Sequence, residues 1–317
     1  MNDRVKLTQA AIITALAVVL SLITVYVPFL GLLVFIIPVP YAIIATVTGG
    51  KYALISAVVS FFIMMFTVDP IYSLSLTVMN VLPGIAVGYM INKEKEESEK
   101  SFKSIYLGTI AFMLSMIVFV GMSKLFLKMD LLAEITEMMK VSVETQLSIM
   151  KSANIAPKGD ITVQDILSLM QNIIPAILFF YSIIASSITY YLEAFILRRI
   201  KKLNFNLPKF TEFYLPGNAV TTSLLLYFLV MGLDILKVPL HTDIIMLNLQ
   251  LVFSMMFLVQ GISVGIYFIR EWKKKSTNKI IIFVIALFLI SGSMVLSFIG
   301  MLDSVIDFRR VRSYKST

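Results

Sequence analysis

Few side chains in this sequence are equipped for chemistry. It contains no cysteine and a single histidine, His241, so disulfides, thiolate ligands, cysteine nucleophiles and paired-histidine metal sites all lack the residues they require. A serine nucleophile needs a base, and His241 stands alone in a polar turn. An ionisable group inside an apolar stretch costs about 2.5–3.5 kcal/mol at a helix centre and marks a function by default. Here Lys51 and Asp69 fall in turns, Asp234 lies near the end of its stretch, and Glu193 is expected to pair with Arg198 and Arg199 at an interface. With no row of carboxylates at depth, ion-coupled transport is disfavoured. With no base beside a nucleophile, the chain is expected not to be an enzyme and to have no catalytic, cofactor-binding or metal site.

What surrounds these residues is apolar. Of 317 residues, 58% are hydrophobic and 15% charged, against roughly half and a quarter in soluble proteins. The apolar residues come in blocks close to the roughly 20 residues that span a hydrocarbon core. Nine blocks are read: Leu7 to Val27, Leu30 to Thr48, Tyr52 to Val68, Ile71 to Ile91, Ile105 to Leu127, Leu169 to Leu197, Ala219 to Leu236, Ile244 to Ile269 and Ile280 to Met301. The fold class expected is therefore an all-α polytopic transmembrane bundle of about nine spans, in contact with the lipid bilayer. The first block runs straight into the second, so it reads as a retained span and not as a cleaved signal. Pro38, Pro40 and Pro83 fall inside or beside spans, where neighbouring helices satisfy the freed carbonyls.

Basic clusters border the blocks, at Arg4 and Lys6, Lys93 to Lys103, Arg198 to Lys209 and Arg270 to Lys279, and place the N-terminus in the cytoplasm by the positive-inside bias. The formal charge of +8 is accounted for by these anchors, and no nucleic-acid partner is expected. Nine full crossings would put the tail, with Arg309, Arg310 and Arg312, outside against that bias. Either the tail is an exception or one block is a partial crossing, with the Leu30 to Val68 pair and Ser291-Gly292-Ser293 as the places to look.

The long polar connection after the fifth block carries Leu131, Ile135, Met138, Met139, Val143, Leu147 and Met150 at helical spacing, which predicts an amphipathic extracytoplasmic segment over 128–168. Such a helix either lies along the membrane interface or lids an outward cavity. Asn154 to Asp160 end it, and Thr162 with Asp165 reads as a capping box opening the next long helix. Ala11 with Ala15, Ala53 with Ala57, Gly84 with Gly88 and Gly261 with Gly265 are small-xxx-small pairs that let helices approach closely. Asn80, Asn218, Asn248, Gln250 and Gln260 are neutral polar groups within or bordering spans, for interhelical bonds or a ligand.

TQAAIITALAVVLSLI at Thr8 to Ile23, IPVPYAIIATVTGGKYALISAVVSFFIMM at Ile37 to Met65 and VLPGIAVGYM at Val81 to Met90 resemble the substrate-binding S component of energy-coupling-factor (ECF) vitamin transporters. The resemblance implies a six-helix unit with cytoplasmic termini, a small-molecule ligand bound near the outer side, and an alanine face on the first helix, matched by Ala11 and Ala15, that docks on a transmembrane coupling subunit working with ATPases. The whole chain, including GMLDSVIDFRR at Gly300 to Arg310, is similar to the YybS-like family of bacterial membrane proteins, whose C-terminal signature Asp303, Asp307, Phe308 and Arg309 match. Without the family, the same stretch reads as an interfacial helix with paired charges.

These resemblances divide the chain into an S-component-like bundle over 1–200 and a C-terminal extension with a charged tail over 201–317. They imply a substrate-binding or transport-associated protein of the bacterial cytoplasmic membrane with no energy source of its own. The alternative is a structural or regulatory membrane protein of the cell envelope without transport activity.

Overall fold

The computed structural model describes residues 3–97, 102–126, 128–153, 162–200, 208–215, 219–275 and 278–311. The expected helix breaker at 154–160, Asn218 and the tail from 312 onward lie outside the described residues. The chain divides into two units, one comprising 1–171 and 177–207, the other 172–176 and 208–317.

In the N-terminal unit α1 (Asp3–Tyr26) is followed by a 3-10 helix (Pro28–Phe35), α2 (Pro38–Thr48) and α3 (Gly50–Thr67). The second span is thus a composite. Eight residues of 3-10 helix and eleven of α-helix reach about 32 Å together, enough for the hydrocarbon core. Pro28 and Pro38 each open a helical segment, where a missing N–H costs nothing. Gly49 at φ 97° makes the turn into α3 that an L side chain would resist.

The fourth span is also composite: α4 (Pro70–Leu76), a π turn (Thr77–Val81) and α5 (Leu82–Glu97). Asp69 caps α4, accepting the Tyr72 N–H at 2.7 Å. The wide turn closes with the Leu82 N–H on the Thr77 carbonyl, just ahead of Pro83. A helix meeting a proline takes such a local adjustment instead of breaking. Then come α6 (Lys103–Phe126), the amphipathic α7 (Leu131–Ser152) and α8 (Val163–Asn172), and α9 (Ile174–Arg199).

The Leu169 to Leu197 block corresponds to α8 and α9, which are separate helices. Pro175, in the first turn of α9, cannot continue a helix from α8. The capping box therefore opens α8: the Thr162 N–H and hydroxyl donate to Asp165 Oδ2 at 2.9 and 2.7 Å, and the Asp165 N–H returns a bond to Thr162 Oγ1 at 3.2 Å. Those bonds hold the Asp165 carboxyl below its ordinary range.

Around Ala17, Ile37, Tyr41, Ile44, Ala53, Met64 and Val81 the first helices close a core. Tyr41, fully buried, donates its hydroxyl to Ser60 Oγ at 2.8 Å. Outside the core the surface is apolar in turn. Leu16, Phe62, Phe66, Ile110, Leu114 and Val118 are all exposed. A soluble monomer rarely exposes so many large apolar side chains along its helices, whereas lipid is their natural solvent.

The second unit holds α10 (Ala219–Ile235), α11 (Thr242–Lys275) and α12 (Asn278–Ile306), preceded by a short 3-10 turn at Phe210–Glu212. Its core gathers Leu215, Ala219, Phe253 and Phe257. Gly292, at φ 64° and ψ −167°, breaks α12 into two helices. The ninth apolar block is thus two helical pieces, the second of which, Gly292–Ile306, reaches about 22 Å and falls short of a crossing. Seven described helical segments are long and apolar enough to cross a membrane, with Ala219–Ile235 and Gly292–Ile306 as shorter apolar helices.

Candidate functional site

The polar residues of the second unit converge on Arg309. α12 ends at Ile306, and Asp307 takes φ 52°, donating its N–H to the Asp303 carbonyl at 2.9 Å. Asp tolerates this left-handed conformation better than most residues, so the position ends the helix and reverses the chain. Asp307 also accepts the Val311 N–H at 2.9 Å. The reversal carries Arg309 back to the helix it has just left: its Nη2 donates to Asp303 Oδ2 at 2.8 Å, and the two side chains are 0% and 1% exposed. Phe308, between them in sequence, faces outward.

Arg309 also ties down the connector that follows α9. Its Nη1 donates to the Thr211 carbonyl at 2.8 Å and to Ser263 Oγ at 2.7 Å, and its Nη2 to the Phe213 carbonyl at 2.6 Å. Gln260, fully buried on α11, completes the node. Its amide donates to Asp303 Oδ2 at 2.8 Å, while its oxygen accepts the Leu215 N–H and the Ser304 hydroxyl, each at 3.0 Å. Three stretches of chain that are remote in sequence, the connector at 208–215, α11 and the end of α12, are therefore held by one ion pair and its hydrogen bonds. A buried charge pair depends on such bonds to offset its desolvation; here they engage Arg309 Nη1 and Nη2 and Asp303 Oδ2, while Arg309 Nε has no hydrogen-bond partner among the described residues. Asp303, Asp307 and Arg309 thus belong to one structural node, and Gln260, singled out in sequence only as one polar residue among several, lies within it.

Elsewhere in this unit Asn248 bridges the start of α9 and α11. It accepts the Ala176 N–H at 3.0 Å and donates to the Asn172 carbonyl at 2.7 Å, supplying partners that the turn before Pro175 would otherwise lack. Asp234 accepts the Thr242 hydroxyl at 2.6 Å.

In the N-terminal unit the ionisable residue of interest is Glu193, and the expected pairing with Arg198 and Arg199 does not form. Glu193 is 0% exposed, whereas both arginines are exposed, Arg199 lying over the Phe195 ring. Spacings of five and six residues turn the helix by about 140° and 240°, so neither arginine shares a face with Glu193. Its partner is instead Thr46 of α2, whose Oγ1 lies 2.5 Å from Glu193 Oε1 and 2.7 Å from the Gly88 carbonyl of α5.

The four small-residue pairs separate by environment. Ala53 and Ala57 are buried in the core. At Gly84 and Gly88 an added Cβ would come within 2.5 Å of the Pro38 carbonyl oxygen and 2.1 Å of the Ala42 one, so α2 and α5 touch backbone to backbone there. Gly261 meets Leu296, and across the same contact Gly300 meets Phe257, although Gly265 faces open space. Ala11 and Ala15 are different. Both are exposed, while Ala10, Thr14, Ala17, Val18 and Ser21 form the inward face of α1.

Residues 15–304 match the family described as "Predicted membrane protein (DUF2232)". The chain is also 25% identical over 269 residues to the Bacillus subtilis (strain 168) protein called "Uncharacterized protein YybS", a similarity covering 83% of this chain and 84% of that protein. No solved structure matches. The family match extends from the first helix to the Asp303 node and agrees with the apolar helices described above: this chain is a multi-pass integral membrane protein and belongs to the DUF2232 family.

Proposed function

We propose that this protein is a substrate-binding or transport-associated component of the bacterial cytoplasmic membrane, docking through α1 on a transmembrane partner that supplies the energy. The observation that carries the reading is the outward placement of Ala11 and Ala15. Two alanines one turn apart leave a shallow strip between larger exposed neighbours, Leu7, Ile12, Leu16 and Val19. In lipid, where apolar surface gives no drive to associate, helix contacts depend on the close backbone approach that such a strip permits. Packing within the chain accounts for Ala53, Ala57, Gly84, Gly88 and Gly261, whereas among the described residues Ala11 and Ala15 lie on the exposed face of α1. The resemblance of the first half to S components gives the strip its occupant, a coupling subunit associated with ATPases, and gives the unit a small-molecule ligand.

The test is co-purification of the full-length protein from native membranes. Ala11→Leu with Ala15→Leu is expected to lose the coupling and ATPase subunits while helicity and detergent stability are retained. Association unaltered by those substitutions would remove the strip as a docking face and the transport reading with it.

A further inference from the structure

Glu193 is a fully buried carboxyl where α9 meets Thr46 of α2 and, through Thr46, Gly88 of α5. The Thr46 hydroxyl has one proton to donate, yet two oxygens lie within bonding distance of it. The Gly88 carbonyl only accepts. Both contacts are satisfied together when Thr46 donates to Gly88 and Glu193 donates to Thr46, and that order requires a proton on the carboxyl.

The ionised alternative leaves one hydroxyl proton for two acceptors and buries a charge that nothing neutralises. Glu193 Oε2 has no hydrogen-bond partner among the described residues. On the surrounding elements the described titratable groups offer no cation: on α6, which packs on α9 where the Ser186 hydroxyl donates to the Ile105 carbonyl, Lys103 and Lys124 are exposed and Tyr106 is half-buried. α2 carries only Tyr41, engaged with Ser60, and on α5 Tyr89 and Lys93 are exposed. On α9, Tyr190 packs edge-on against Tyr191, and Arg198 and Arg199 are exposed. An uncompensated carboxylate in such surroundings costs many times what its neutral acid does.

We propose that Glu193 is a proton-binding site within the membrane-embedded part of the N-terminal unit. The proton is held along Glu193–Thr46–Gly88 while the three helices are packed. When α9 parts from α2, the carboxyl O–H bond breaks, the proton passes to water and the electron pair stays on the carboxylate. The reverse step restores the packed state. The exit is short, because Glu193 lies about 9 Å along the helix axis from the terminal Arg199. This proposal stands whether or not Ala11 and Ala15 dock a partner.

Infrared difference spectroscopy of the full-length protein in lipid vesicles at neutral pH tests it. The wild type is expected to show the carbonyl stretch of a protonated carboxylic acid, and Glu193→Gln is expected to remove it. Thr46→Val is expected to shift the band towards that of a free acid, and Thr46→Ser to leave it in place. A Glu193→Gln spectrum with the same acid band as the wild type would overturn the proposal. Should that variant fail to fold, an acid band that Thr46→Val leaves unshifted would overturn it equally.

Discussion

Asp303 and Arg309 are six residues apart in sequence and 2.8 Å apart in space, although no continuous helix would bring them to one face. The pair exists because α12 stops between them and Asp307 turns the chain back. Its value lies in what it joins, since the same guanidinium holds two carbonyls of the connector before α10 and the Ser263 hydroxyl of α11.

Arg309→Ala and Asp303→Ala should each destabilise the protein by about 3–5 kcal/mol, because each leaves the other charge buried without its partner. The double substitution should cost clearly less than the sum of the two. Denaturant unfolding in detergent, read as a double-mutant cycle, measures the coupling. Single effects below about 0.5 kcal/mol would mean that the pair is not buried as described.

The same node bears on the side of the membrane where the chain ends. Basic residues place the connector after α9 in the cytoplasm, and Arg309 is bonded to that connector. With the break at Gly292, α12 is expected to enter and leave on one face, which resolves the conflict between nine crossings and a basic tail. The absence of native cysteine makes the test direct. In intact cells a membrane-impermeant thiol reagent should label Ser148→Cys in α7 but neither Ser101→Cys nor Ser313→Cys. Labelling of Ser313→Cys alongside Ser148→Cys would place the tail outside.

Gly88→Ala should cost about 1–3 kcal/mol, since its Cβ would lie 2.1 Å from the Ala42 carbonyl oxygen and 2.7 Å from its carbon, and helix backbone cannot yield as a side-chain tip does. Gly121→Ala, with nothing within 4 Å, should be neutral or slightly stabilising. Thermal unfolding of both variants in one detergent provides the comparison, and equal midpoints would refute the close contact of α2 and α5.

The spans were legible in the sequence because a bilayer demands a minimum length of apolar chain, and that length is counted directly. Their interruptions were legible only in part. Pro83 announced an irregular turn, and Thr162 with Asp165 announced a helix start, but Pro175 was needed to see that α8 and α9 part company. The expected pairing of Glu193 with Arg198 and Arg199 fails on helical phase, because only residues three or four apart share a face and both arginines lie farther along. Gln260 carried no signal that set it apart from Asn80 or Gln250. Its importance comes from Asp303, brought to it by the packing of α12 on α11, and pairings of that kind leave no mark at fixed spacing.

The outward alanine strip of α1 is tested most directly by attaching a crosslinker to single cysteines at positions 11, 15 and 17 of the otherwise cysteine-free chain, in native membranes. Ala11→Cys and Ala15→Cys are predicted to give adducts with a second membrane polypeptide, and the buried Ala17→Cys only crosslinks within its own chain. Intermolecular adducts absent at 11 and 15, or equally abundant at 17, would contradict the account.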